Sequence, residues 1–178
     1  MNVWWCNQSN DWHLERPAGC VCASAETAKL NYRQTVGDVV AGDIVVHYKK
    51  PKVVAISRAM ENGTFHKRLP LVSGESYGSG WRFKTEYIDL MSPVDRKLFA
   101  QDLAVFARFG YAVNPDGAVK QGYFLPFDKA GLQRILAHVE EDLPDWLTLC
   151  VGGKTPRNRD EKLPSRKEIL LSQLQRDR

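Results

Sequence analysis

No apolar run in the 178-residue sequence approaches the roughly 20 residues that a membrane-spanning helix requires. The strongest lie between Asp43 and Tyr48 and between Lys52 and Ile56, and the N-terminus lacks the apolar stretch of a signal peptide. These absences predict a cytoplasmic chain with no membrane partner. Cysteine is scarce: four thiols, at positions 6, 20, 22 and 150, do not make the framework of a secreted disulfide scaffold, so reduced thiols are expected. There is no C-x-x-C pair. The set Cys6, His13, Cys20 and Cys22 has residue types that zinc prefers, but it lacks the spacing of a metal site, and neither metal nor cofactor is expected. Paired carboxylates in an apolar setting, and a histidine bracketed by a nucleophile and an acid, are missing too. So are internal repeats.

What is present suits one packed domain with an extension, since 43% hydrophobic and 26% charged residues are ordinary globular values. The net charge of +4 is unevenly placed. Residues 1–150 hold 17 basic and 17 acidic side chains, whereas residues 151–178 hold 8 basic and 4 acidic. Inside the body, residues 49–84 carry 8 basic against 2 acidic side chains. Folded onto one face, Lys49, Lys50, Lys52, Arg58, Lys67, Arg68, Arg82 and Lys84 would make a stripe able to accept a phosphate backbone; otherwise they form an ordinary solvated face.

Residues 2–6 read as a first strand, ended by the polar cluster at 7–11, and Gly19 to Ser24 as a second, with Cys20 and Cys22 on one face and Val21 on the other. A strand from Ile44 to Tyr48, a turn through Lys49-Lys50-Pro51 and a strand from Lys52 to Met60 make a hairpin with a basic tip. Strand-forming residues return from Trp81 to Leu90, and Pro93 is expected to end that element. Helical spacing covers 95–109, a short strand runs from Gly122 to Pro126, and a second helix, about 128–141, starts at Asp128 as N-cap. Residues 151–164 read as a basic linker. Ser165 with Glu168 then forms a capping box that opens a helix over 165–178.

Two strings imitate catalytic motifs. Gly74-Glu75-Ser76-Tyr77-Gly78 matches G-x-S-x-G, yet it precedes strand-like rather than helical residues and has no buried parallel strand before it. Val151-Gly152-Gly153-Lys154-Thr155 resembles the end of a phosphate loop, but Thr148 stands where the first glycine belongs and Pro156 opposes the required helix. The remaining signal is aromatic. Five tryptophans stand at 4, 5, 12, 81 and 146, three of them within the first 12 residues among Asn7, Gln8, Asn10 and Asp11. Indole offers a face for stacking on a base, and Asn, Gln and Asp supply donors and acceptors for its edge. Trp4, Trp5 and Trp146 read as core; Trp12 and Trp81, in polar or glycine-rich surroundings, read as pocket walls.

Four segments taken in order carry a family resemblance: Val3-Trp4-Trp5-Cys6-Asn7-Gln8, Val39 to Tyr48, Trp81-Arg82-Phe83-Lys84-Thr85-Glu86-Tyr87 leading to Pro93, and Gln121-Gly122-Tyr123-Phe124-Leu125-Pro126. Over about residues 1–145 the chain resembles the EVE domain of the PUA-like superfamily, alongside YTH and ASCH modules. The resemblance implies an α+β fold, a small curved β-barrel with helices packed outside over residues 1–150, whose pocket receives one modified nucleobase. EVE domains occur fused to HNH nucleases in modification-dependent restriction enzymes. The linker and final helix then point to a C-terminal nuclease domain in a parent protein, because no HNH-like cluster is present here and this chain should not cleave.

The resemblance further implies base flipping of 5-methylcytosine or 5-hydroxymethylcytosine from double-stranded DNA, with a base pocket built from Asn7, Gln8, Asp11, Trp12, Ser24, Tyr77, Ser79 and Trp81. Backbone contacts fall to Lys49, Lys50, Lys52, Arg68, Arg82 and Lys84. The sequence departs from the YTH pattern at Val21 and Cys22, where an aromatic would stand. Two other readings remain: an RNA-modification reader of the PUA/YTH type, and a small serine hydrolase using Ser76 with one of the histidines.

Overall fold

A computed structural model describes residues 1–25, 31–67, 78–107 and 111–150. The chain runs through β1 (Val3–Asn7), α1 (Trp12–Ala18), β2 (Cys20–Ser24), a 3-10 segment (Asn31–Asp38), β3 (Ile44–Lys49), β4 (Lys52–Ala59), β5 (Thr64–His66) and β6 (Gly80–Asp95). It continues through α2 (Arg96–Leu103), a 3-10 turn (Ala104–Phe106), β7 (Phe124–Phe127), α3 (Lys129–Leu136) and α4 (Asp145–Cys150). The strands join in the order β2-β6-β4-β3-β1-β7, with β5 also paired to β6. All pairs are antiparallel except β1 with β3, whose parallel register sets Val3 opposite Ile44 and Asn7 opposite Tyr48. This is a mixed α+β fold with a curled half-barrel sheet and few helices, in agreement with the curved-barrel expectation at that level.

Strand alternation sorts the side chains into two cores. From β1 and β3, Val3, Trp5, Ile44, Val46 and Tyr48 turn outward, where Phe99 and Leu103 of α2, Leu132, Ile135 and Leu136 of α3 and Leu147 of α4 cover them. Trp4, Cys6 and Val45 turn inward, against Val21, Ala23, Phe83, Tyr123 and Phe124. Both faces are buried, which is why β1 and β3 read as nearly continuous apolar runs.

The 16 residues of β6 are too many for one pairing partner. Its first part, Gly80 to Lys84, is flanked by β2 and its Gly80–Arg82 stretch also by β5, and from Thr85 to Asp95 it pairs with β4. The strand runs through Pro93 instead of stopping there. Between Val53 and Ala55 the register with β4 shifts, and such an irregularity tolerates a residue with no N–H to donate.

Other boundaries differ from expectation for local reasons. Helix α1 escaped the sequence reading because Pro17 lies inside it and Asp11 makes no side-chain cap bond; only the Asp11 carbonyl accepts, from Leu14 and Glu15 N–H. Gly19, at φ 59, ends it in the left-handed region that glycine enters without strain. The helix expected over 95–109 is α up to Leu103 and tightens to 3-10 through Phe106. Asp95 and Asp128 cap α2 and α3 through the N–H groups of Lys97 and Ala130. The linker and helix expected over 151–178 lie outside the described residues.

Candidate functional site

At one end of the inner face the apolar core gives way to a buried polar chain. His47 is wholly buried because β3 alternation sends it inward after Val45. Its Nδ1 lies 2.5 Å from Gln8 Oε1, and its Nε2 lies 2.6 Å from Ser57 Oγ on β4. An amide oxygen can only accept, so Nδ1 carries the ring proton and Nε2 accepts from the serine hydroxyl. Thr85 Oγ1 lies 2.7 Å from Ser57 Oγ and 2.9 Å from the Arg58 carbonyl.

On the other side of Gln8, Nε2 donates to Glu15 Oε2 at 2.5 Å and to Tyr87 Oη at 3.2 Å. The Tyr87 hydroxyl donates in turn to the Cys20 carbonyl at 3.0 Å. Glu15 also receives the Tyr123 hydroxyl at 2.5 Å and the Cys22 N–H at 2.6 Å, so α1, the residue after β1, β2 and the residue before β7 meet on one carboxyl group.

Burial decides the charge state of this chain. It pushes the Glu15 carboxyl up to about 8, more than the donors from Tyr123, Gln8 and Cys22 pull it down. Burial likewise pulls His47 down to about 3, aided by the nearby Arg16 charge, and pushes the Tyr87 and Tyr123 hydroxyls up. Burial therefore favours the uncharged form of each of these groups, against the three donors aimed at Glu15.

Trp12 roofs this chain. Its ring meets Tyr87 edge-on at 5.7 Å and lies 6.1 Å from His47, and it is partly exposed at the start of α1. Arg16, one turn on, sits 4.9 Å over the Tyr87 ring and is held there by a 2.5 Å ion pair to Asp89. The turn before Trp12 is tied to the β3–β4 hairpin: Ser9 Oγ accepts from the Lys50 N–H at 3.1 Å, and Gln8 N–H donates to the Tyr48 carbonyl at 3.0 Å. Lys49, Lys50 and Lys52 are exposed on that hairpin. Trp12 and the basic tip thus share one end of the sheet.

The other expected pocket residues that are described have partners of their own. Asn7 is a brace, accepting from Trp5 Nε1 at 3.1 Å and donating to the carbonyls of Lys120 and Gly122. Asp11 caps α1 through its carbonyl. Ser24 ends β2 opposite Gly80, and the Ser79 carbonyl accepts from Ala25 N–H at 2.8 Å. Trp81 packs on the inner core, edge-on to Phe65 at 5.3 Å, and crowds Gly37 so closely that a Cβ there would lie 2.7 Å from the indole Cδ1. It stands six residues before Tyr87 on the same strand, about 20 Å along it. Trp12 and Trp81 thus belong to different contact sets. Lys84 is exposed, whereas Arg82 turns onto Cys20 and Cys22, with which β6 is in register. Tyr77 and Arg68 lie outside the described residues.

His47, Glu15, Tyr87, Ser57 and Tyr123 were not picked out from the sequence. One signal was available: His47 is a polar residue at an inward position of an otherwise apolar strand, and buried imidazole demands partners. Trp4 and Trp5 are buried as expected, and Trp146 is half-buried against the outer core with Arg58 4.8 Å over its ring. Among the described residues no three His, Cys, Asp or Glu side chains gather as a metal site, and no helix is long and apolar enough to cross a membrane. A cleft of about 480 Å³ lies away from the buried polar chain, at the opposite end of β1, between Asn2, Asp38, Tyr111 and Lys129.

No protein-family model matches the sequence, and no curated protein matches it. Among solved structures, a crystal structure of an Agrobacterium tumefaciens protein is similar at a TM-score of 0.50 and 12% identity, over 81% of this chain and 97% of that one. A Rhodopseudomonas palustris protein solved by NMR aligns at 0.44 and 12%, over 76% and 90% of the two chains. A Pseudomonas putida protein aligns at 0.46 and 11%, over 76% and 97%. At such identities the first of these speaks for the fold alone.

Proposed function

We propose that this chain is an EVE-type, PUA-like reader that receives a modified cytosine, 5-methylcytosine or 5-hydroxymethylcytosine, flipped out of duplex DNA. In this reading it serves as the specificity domain of a modification-dependent HNH endonuclease. The observation that carries the reading is the shared location of Trp12, partly exposed over the Tyr87–His47–Gln8 chain, and the exposed Lys49, Lys50 and Lys52, fastened together by the Ser9–Lys50 hydrogen bond. Lysines at the rim can hold phosphates while an indole stacks on the extruded base. Flipping costs a few kcal/mol, and stacking on an aromatic returns about 1–3 kcal/mol, so hydrogen bonds to the base edge must supply the remainder. The groups of the buried chain are bonded to one another, so what they supply is a fixed seat for the indole, and the edge contacts fall to groups beside Trp12.

The test is a gel-shift panel with one duplex bearing plain, methylated, hydroxymethylated or glucosylated cytosine. One modified form should bind tightest, and Trp12→Ala should weaken that form about tenfold or more while leaving the salt-sensitive background on plain duplex. Equal loss on modified and plain DNA would remove the pocket from consideration. Stronger competition by modified single-stranded RNA than by modified duplex would shift the substrate class.

A further inference from the structure

We propose that Cys20 and Cys22 form a peroxide-reactive thiol pair, a covalent modification site on the end strand of the sheet. Alternation along β2 sends Val21 and Ala23 into the inner core and leaves both cysteines on the opposite face. Their Sγ atoms lie 3.6 Å apart, and both are free thiols. In register across β6, Arg82 stands opposite Cys22 and Lys84 opposite Cys20. Arg82 Nε is buried without a hydrogen-bond partner among the described residues, and the negative charges that act on this guanidinium are those of the two sulfurs and of Glu61.

The pair gives up its first proton early. Cys20 is pushed down by the hydrogen bond from the Cys22 thiol and by Arg82, against the effect of burial, while Cys22 is held up. Cys22 is partly exposed and Cys20 is buried. Charge and access are thus divided between two sulfurs in mutual hydrogen-bond contact, and moving the shared proton places the thiolate on the reachable one.

Cys22 thiolate attacks one oxygen of hydrogen peroxide; the O–O bond breaks, hydroxide leaves and takes up a proton, and Cys22 becomes a sulfenic acid. Cys20 thiolate, stabilised by Arg82, then displaces the hydroxyl, forming the S–S bond and releasing a second water. Two thiols are oxidised and one peroxide is reduced. Cα atoms two apart on a strand are about 6.6 Å apart, near the upper reach of a disulfide at about 6.8 Å, and their parallel Cβ atoms are spaced well beyond the roughly 3.8 Å a disulfide prefers, so closing the bond draws this part of β2 out of its extended form and leaves the bond readily reduced. Because the Cys22 N–H is one of the donors on Glu15, closing the pair also pulls on the buried polar chain.

The full chain is treated with hydrogen peroxide, quenched, alkylated under denaturing conditions and weighed intact. Wild type should lose two hydrogens and two alkylatable thiols, keeping Cys6 and Cys150 free. Cys20→Ser should instead hold a sulfenic acid that dimedone traps, and Cys22→Ser should react about tenfold slower, its remaining thiol being buried. The proposal is overturned if wild type oxidises no faster than the Cys20→Ser/Cys22→Ser double variant, or if it gains oxygen without losing two thiols. The wild-type mass readout stands whether or not a variant folds, and it is independent of any DNA binding.

Discussion

The two faces of β3 are built from neighbouring residues and obey different physics. Outward, Ile44, Val46 and Tyr48 meet helices α2, α3 and α4, and burial of hydrocarbon is the whole of their contribution. Inward, Val45 begins as apolar core, but two residues on His47 opens a chain of hydrogen bonds that reaches Gln8, Glu15, Tyr123, Ser57 and Thr85. The outer face stabilises without specifying direction. The inner end does the reverse, since every buried donor there must find its acceptor or cost about 1–3 kcal/mol. Non-directional burial and directional bonding are thus divided across the thickness of one sheet.

Trp5→Ala, on the outer face, should give the largest effect. Trp5 is fully buried against Tyr48 and Phe127, and its truncation should cost about 3–5 kcal/mol in urea unfolding, with little dependence on pH. A strongly pH-dependent loss would mean that the two faces are not separate.

Next in size is the pH profile of the inner end. His47 drops from 6.5 to about 3 on folding, so between those values the unfolded chain binds the extra proton and stability rises with pH. Glu15 rises from 4.5 to about 8, so between those values the native chain binds the extra proton and stability falls with pH. The slopes are about 1.4 kcal/mol per pH unit each and cancel where they overlap. Stability should therefore climb from about pH 3 to 4.5, stay level to about 6.5, and fall by about 2 kcal/mol toward pH 8. Denaturation at a series of pH values checks this shape. Glu15→Gln should flatten the alkaline limb and, with nothing left to cancel the His47 slope, let the climb run on to about pH 6.5; an alkaline limb that survives the substitution would point to another group.

The smallest effect concerns charge. Lys50→Gln at the hairpin tip should weaken DNA binding about equally on all duplexes and lower the slope of log affinity against log salt by about 0.9. Lys129→Gln, on the exposed start of α3 over the outer face, should leave that slope in place. Equal changes would remove the hairpin's privileged position.

Local patterns carried far in the sequence where burial is two-sided or turn chemistry is sharp. The β3–β4 hairpin, the pairing of Cys20 and Cys22 on one strand face, and the Asp128 cap are all legible in this way. The α1 helix was not, because its end is set by Gly19 and its fixation by Glu15 is tertiary. Of the candidate site, Gln8 and Trp12 could be picked out as polar and aromatic residues beside a strand end. Glu15, Tyr87 and Tyr123 could not, since they are separated by dozens of residues and converge only through the order in which β1, β2 and β6 assemble. Trp12 and Trp81, similar in composition of surroundings, part company for the same reason: a 16-residue strand carries Trp81 far from Tyr87.

β1 lies between β3 and β7, parallel to the first and antiparallel to the second. In the order of synthesis β1 thus has both edges unsatisfied until residues 44–49 and then 124–127 have been made. During synthesis, Trp4 and Trp5 wait as exposed indoles on a half-finished sheet, which completes only when β7 has been made.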